Sequence, residues 1–215
     1  DNWEYGIKVY RNSIVYNNTI IDSYEHGVYV DGSNVSIFNN NILSNGRDGI
    51  YISHTTDIIV HDNNCSLNDR SGIYMRSADD CKIFNNTFSS NEYGIYAKYS
   101  DNNMIYLNNF INNRDNVNSY NSCNIWNSAE KITYTYNGSQ YTNYMGNYWS
   151  DYTGSDADGD GIGDTSYIID EDDKDDYPLM ESWENYFAPE NQPPVANFTY
   201  SPEAVSYTHL TLPTT

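Results

Sequence analysis

The feature that most constrains this chain is a repeat. Glycine recurs at Gly6, Gly27, Gly49, Gly72 and Gly94, and Asn116, which like glycine tolerates positive φ, takes the sixth place. Each is followed by an apolar residue: Ile7, Val28, Ile50, Ile73, Ile95 and Val117. Two positions on lie Val9, Val30, Ile52, Met75 and Ala97. Alternate residues of a strand share a face, so these two columns point inward together. A second strand contributes Val15, Ile37, Val60, Ile83 and Ile105, then Asn18, Asn40, Asn63, Asn86 and Asn108. Ile20, Ile42, Cys65, Phe88 and Phe110 follow, and then Ser23, Asn45, Asn68, Asn91 and Asn113.

Self-similarity at a fixed period of about 22 residues is the mark of a solenoid. The unit is too short for a helix pair, and three short strands joined by tight turns fit it. The expected fold is all-β: a right-handed, single-stranded parallel β-helix of about five to six rungs over residues 1–150. Stacked coils place equivalent residues about 4.8 Å apart. Apolar columns then form one core, and asparagine columns form amide ladders at the corners.

The second constraint is charge. The formal net charge is −20, with 30 acidic against 10 basic residues. Nucleic acid is disfavoured as a partner, because phosphate backbones require basic surface. The acid is concentrated: Asp151–Glu190 holds fourteen Asp/Glu and one Lys. Within this closing segment, residues 151–187, Asp156, Asp158, Asp160 and Asp164 fall at positions 1, 3, 5 and 9 of a loop. Gly161 stands at position 6, where the chain must turn sharply, and Ile162 at position 7 offers a backbone carbonyl. This is the first part of an EF-hand-type calcium loop, and Ca2+ in a structural role is the expected cofactor. Position 12 is Tyr167 rather than a bidentate Glu, so Asp151, Asp170, Glu171 or Asp172 would have to complete the shell.

The quoted residues also carry a resemblance. The pattern G-[IV]-Y-x…I-x-N-N-x-[IF]-x-x-N resembles the parallel β-helix repeat of the NosD-like and carbohydrate-binding/sugar-hydrolase families. Asn124–Tyr152, the GSDADGDGIGDTSYIID stretch and DDYPLM look like the closing segment of NosD-type β-helices in archaeal cell-surface proteins. That resemblance, over residues 1–187, implies an extracellular or cell-surface module. Residues 188–194 read as a linker. Residues 195–204 are similar to the first strand of a PKD domain. Val205–Thr215 back-translates to a transposase-type sequencing adaptor and is excluded from fold reasoning. The chain starts mid-repeat, as a fragment would.

Three functions compete. Tyr29, Tyr51, Tyr74 and Tyr96 form an outward stripe that could stack on sugar rings or serve as a cross-strand ladder. A non-enzymatic structural or adhesive module, with a polysaccharide or cell-envelope glycan as partner, is the leading expectation. The alternative is a polysaccharide lyase- or epimerase-like enzyme with its active site in missing rungs. Asp79, Asp80, Lys82 and Arg76 cluster near one turn, with Arg47 and Asp48 a rung earlier. However, the Asp-Pro-His-Asp signature of alginate epimerases is absent, and no catalytic residue is assigned. The third function, implied by the NosD resemblance, is copper delivery. Its possible ligands (His26, His54, His61, Met75, Met104 and the cysteines Cys65, Cys81 and Cys123) form no HxxxM or CxxxC cluster. No stretch approaches the length of a membrane span.

Overall fold

The computed structural model describes residues 4–187. Within them the regular structure is strand apart from one short 3-10 turn at Trp183–Tyr186, and the chain is wound as a β-solenoid. One face is a six-stranded parallel sheet of Tyr5–Tyr10, His26–Asp31, Ile50–Thr56, Ser71–Asp79, Tyr93–Lys98 and Asp115–Tyr120. The second sheet has five strands, from Ile14–Tyr16 to Met104–Tyr106, and the third has six, from Thr19–Ile21 to Tyr148–Trp149. Register follows the columns. Val28 pairs with Ile50, Ile50 with Ile73, and Ile73 with Ile95. Ile42 pairs with Cys65, Cys65 with Phe88, and Phe88 with Phe110. These side chains fill the interior with essentially no exposure. At the first coil Ile7 and Val9 are only half-buried, because no coil lies beneath them among the described residues.

The glycine column has a different cause from the one expected. None of Gly6, Gly27, Gly49, Gly72 and Gly94 has positive φ. The left-handed residues are instead non-glycines just before the corners, such as Asn17, Asn39, Asp62 and Asn85. The glycines are required for space: a Cβ on Gly72 would lie 2.6 Å from Phe88 Cδ1 and 2.7 Å from the carbonyl oxygen of Gly94 in the next coil. Backbone cannot yield as a side-chain tip can. Gly72→Ala is expected to cost about 3 kcal/mol, the upper part of the overpacking range. Denaturant unfolding checks this, and a loss under about 0.5 kcal/mol, typical of a surface change, would refute the steric account.

The asparagine ladders form and share one direction. Asn18 donates through its backbone N and Nδ2 to Asn40 Oδ1, both at 3.0 Å. Asn40 does the same to Asn63, Asn63 to Asn86, and Asn86 to Asn108. A second ladder climbs Ser23, Asn45, Asn68, Asn91 and Asn113. A third, short one joins Cys81, Asn103 and Asn124.

The period breaks after Asn108, whose partner is Asn147, 39 residues on. Between them the chain leaves the coil to make an antiparallel hairpin, Ile132–Tyr136 with Ser139–Asn143. Ser128 and Met145 close its base through Ser128 N to Met145 O and Met145 N to Ser128 Oγ. The chain then rejoins the third sheet at Tyr148–Trp149, where Trp149 stacks on Phe110 at 4.3 Å.

Candidate functional sites

The closing segment first does structural work. Every ladder amide donates towards the C-terminal end, so each ladder must finish on an acceptor. Three aspartates supply one. Asn147 donates to Asp175 Oδ2, through its backbone N at 2.7 Å, and Trp149 Nε1 reaches the same oxygen at 3.0 Å. Asn113 donates to Asn116 Oδ1, and Asn116 Nδ2 to Asp151 Oδ1 at 2.8 Å. Asn124 N donates to Asp173 Oδ1 at 2.8 Å, and Ser119 Oγ to Asp173 Oδ2 at 2.7 Å. An aspartate offers its oxygens as acceptors and has no amide to pass on to a further coil, so the donor chain ends there. Gly146 makes room for Asp175, whose Oδ1 lies 1.9 Å from where a Cβ would sit.

The acidic loop lies beside this cap. Asp156 Oδ1 accepts from Gly159 N and Asp160 N, and Asp156 Oδ2 from Gly161 N at 2.8 Å. Asp160 Oδ1 accepts from Ile162 N at 2.8 Å. Gly161, at φ +89, makes the sharp turn expected of position 6. The loop is anchored from behind. Ile162 is buried with Leu107, Tyr134, Tyr136, Met145, Leu179 and Tyr186 in a second core. Met180 N donates to Gly161 O, and Tyr141 hydroxyl to Gly159 O. Among the described residues one group of three or more His, Cys, Asp or Glu can converge on a metal: Asp156, Asp158 and Asp160, with ligand oxygens within 4.8 Å of one another. The carboxylate of Asp160 raises the Asp158 pKa, as crowding of like charges must.

Asp164 stands apart from that trio, its Oδ2 accepting from Ala157 N at 2.8 Å. Asp151 ends a ladder, and Asp170 Oδ1 accepts from the backbone N of Asp172 and Asp173. Tyr167 stacks on Trp149 at 4.2 Å. The groups beside Asp158, Asp160 and Asp164 are instead Asn143 and Asp176. Asn143 arrives on the hairpin, and Lys174 holds the Asp176 carboxyl below its usual range. Neither was legible in the sequence, since one lies thirteen residues before the loop and the other twelve after it.

The tyrosine stripe is a continuous row of ring contacts, tilted for Tyr29 and Tyr51, edge-on for Tyr51 and Tyr74, and stacked for Tyr74 and Tyr96. Ring centroids are 5.2 Å apart for Tyr29 and Tyr51, 5.1 Å for Tyr51 and Tyr74, and 4.8 Å for Tyr74 and Tyr96. It is less open than expected: Tyr74 is 8% exposed. The Arg70 guanidinium lies over Tyr74 at 4.6 Å and over Tyr96 at 5.1 Å, and Lys8 Nζ over Tyr29 at 4.9 Å. The groove along it is lined by Glu25, His26, Arg47, Arg70 and Arg76 as well as tyrosines. Arg47 and Arg76 meet there, whereas Asp79 belongs to the corner, where its Oδ1 accepts from Asp101 N. Asp80 and Lys82 are exposed at that same corner. Asp48 is fully buried, its Oδ2 3.2 Å from His26 Nδ1.

The soft candidate ligands are dispersed. His61 stacks between Phe38 and Phe84 at 5.0 and 4.9 Å, with Nδ1 2.6 Å from Asp62. It belongs to a second aromatic ladder, Tyr16 to Tyr106, at the same period. His54 Nδ1 lies 2.7 Å from Ser53 Oγ. Met75, Cys65 and Cys81 are core residues, Met104 is half-buried, and burial pushes the Cys81 thiol up to about 12. The three cysteines are free, and only Cys123 is exposed.

Stacked parallel coils with amide ladders, closed by a cap that carries an acidic loop, define a parallel β-solenoid. No helix among the described residues is long and apolar enough to cross a membrane. The chain belongs to the NosD family, whose model, described as periplasmic copper-binding protein (NosD), matches residues 1–154. No curated protein matches the sequence. The linker at 188–194, the PKD-like strand at 195–204 and the adaptor-like tail lie outside the described residues.

Proposed function

We propose that this chain is a non-enzymatic, extracellular or cell-envelope β-solenoid module that presents its first sheet to glycans and is locked at its C-terminal end by Ca2+. The observation that carries the calcium reading is the convergence of Asp156, Asp158 and Asp160 on a turn anchored by a second core. Oxygen donors on a glycine turn suit a hard cation. Ile162 supplies its carbonyl, and Asp164 joins directly or through water, as position 9 does in such loops. Asn143 and Asp176 complete the shell in place of the missing position-12 Glu. The ion neutralises carboxylates that otherwise repel one another, so binding stabilises the fold.

The expected result is a rise in thermal midpoint of several degrees with millimolar calcium, the range of extracellular modules. Asp158→Ala with Asp160→Ala removes that rise. No calcium effect on the wild type would end the calcium reading. Membership of the NosD family favours a second reading, copper binding. The same melts run with copper separate the two: a copper-specific rise that survives the double substitution favours copper at His and Met side chains.

A further inference from the structure

We infer that the tyrosine groove on the first sheet is an anion site, taking the carboxylates of an acidic oligosaccharide on Arg70 and Arg76. This rests on the glycan reading above and narrows it to a charge class.

A platform for a neutral sugar needs free aromatic faces. Here Tyr74 is nearly buried, and the Arg70 guanidinium covers the faces of Tyr74 and Tyr96. Any ligand reaching that part of the stack meets guanidinium first. Stacking on a ring leaves the N–H edge of an arginine free, and that edge matches a carboxylate bidentately.

The charge count points the same way. Acidic residues outnumber basic ones thirty to ten, yet three of the five arginines line this one groove. One groove cation is answered locally: Arg47 lies 3.2 Å from Glu25. Among the described residues, Arg70 and Arg76 have no carboxylate within 4.0 Å. Arg76 is exposed and lines the groove together with Tyr51 and Tyr74. Lys98 pairs in register with Arg76 one coil on, whereas Lys8 at the other end of the face is already paired with Asp31 at 3.9 Å. Cations on successive coils follow the long axis, so the site fits an extended ligand with repeated carboxylates. At physiological salt the screening length is about 8 Å, so the distant acidic cap repels such a ligand weakly, while direct groove contacts lie well within that length.

The test measures binding of a fluorescently labelled oligoglucuronate, and of an oligoglucose of equal length, to the full chain. The expected result is binding of the acidic chain only, weakened by added sodium chloride. Arg76→Gln should weaken it about tenfold, the value of one charge-assisted pair, and Arg70→Gln with Arg76→Gln further. Arg76 is exposed, so its single variant keeps the stack and the fold. Equal binding of both sugars, or binding indifferent to Arg76→Gln, would overturn the anion site while leaving the glycan reading. Binding of neither would overturn both.

Discussion

Asn86→Ala is expected to destabilise the solenoid by about 4 kcal/mol, a large share of the 5–15 kcal/mol typical of a whole domain. Asn86 sits in the middle of the longest ladder and is fully buried. Its Nδ2 donates to Val60 O, Phe84 O and Asn108 Oδ1, and its Oδ1 accepts from the backbone N and Nδ2 of Asn63. Truncation deletes all of these and leaves the Asn63 backbone N–H buried without an acceptor. Each stranded buried group costs about 1–3 kcal/mol. The loss is read from the shift of the denaturant unfolding curve, and a cost near 1 kcal/mol would mean that water replaces the ladder.

The companion variant Asn86→Asp tests direction as well as presence. It keeps an acceptor for Asn63 but replaces the two Nδ2 protons, shared among three acceptor oxygens, with a carboxylate oxygen. At neutral pH it should cost at least as much as alanine, since a buried charge set against three acceptor oxygens is worse than a gap. Lowering the pH restores one proton and should recover part of the loss. If Asn86→Asp is milder than Asn86→Ala at pH 7, the ladder is not polar in the stated sense.

What the sequence showed, and what it hid, follows from periodicity. Ile50, Ile73 and Ile95 are aligned because every coil repeats the same local problem, so one spacing reveals the whole column. The same spacing also held the aromatic ladder through His61, overlooked because His, Phe and Tyr differ in letter but not in shape. The glycine column was legible as a column but not in its cause. The nearness of the Gly94 carbonyl to Gly72 is a property of stacking, which local conformation does not report. Asn147 and Trp149 belong to existing columns, yet the hairpin excursion displaces them from the expected register. The three capping aspartates occur once each, so no repeat announces them, and within fourteen acids their separate tasks look alike. Asp156, Asp158 and Asp160 were legible because the loop is local. Arg70 was not placed on the groove, because it leaves a corner and folds back over Tyr74.

Asp175→Asn should show a pH dependence, relative to the wild type, that isolates the longest ladder's cap. Asp175 is fully buried, and burial pushes its carboxyl up to about 7, against the pull of Asn147, Tyr177 and Trp149, which donate to it. In the unfolded chain the same carboxyl titrates near 3.9. Between about 4 and 7, therefore, the native state holds a proton that the unfolded state has released, and stability falls as pH rises through that window. The contribution is complete below about 4 and gone above about 7, and a shift of about three units corresponds to about 4 kcal/mol. The amide is the isostere of the protonated acid: its oxygen still accepts from Asn147 and Trp149, while its NH2 faces the Tyr177 N–H. Asp175→Asn does not titrate, so subtracting its stability-against-pH curve from that of the wild type removes the exposed acids common to both. The wild type should lose ground to the variant steadily from pH 4 to pH 7. A flat difference would place the native carboxyl at its ordinary value. A difference of the opposite sign would mean that the donors outweigh burial and that the ladder ends on a permanent charge.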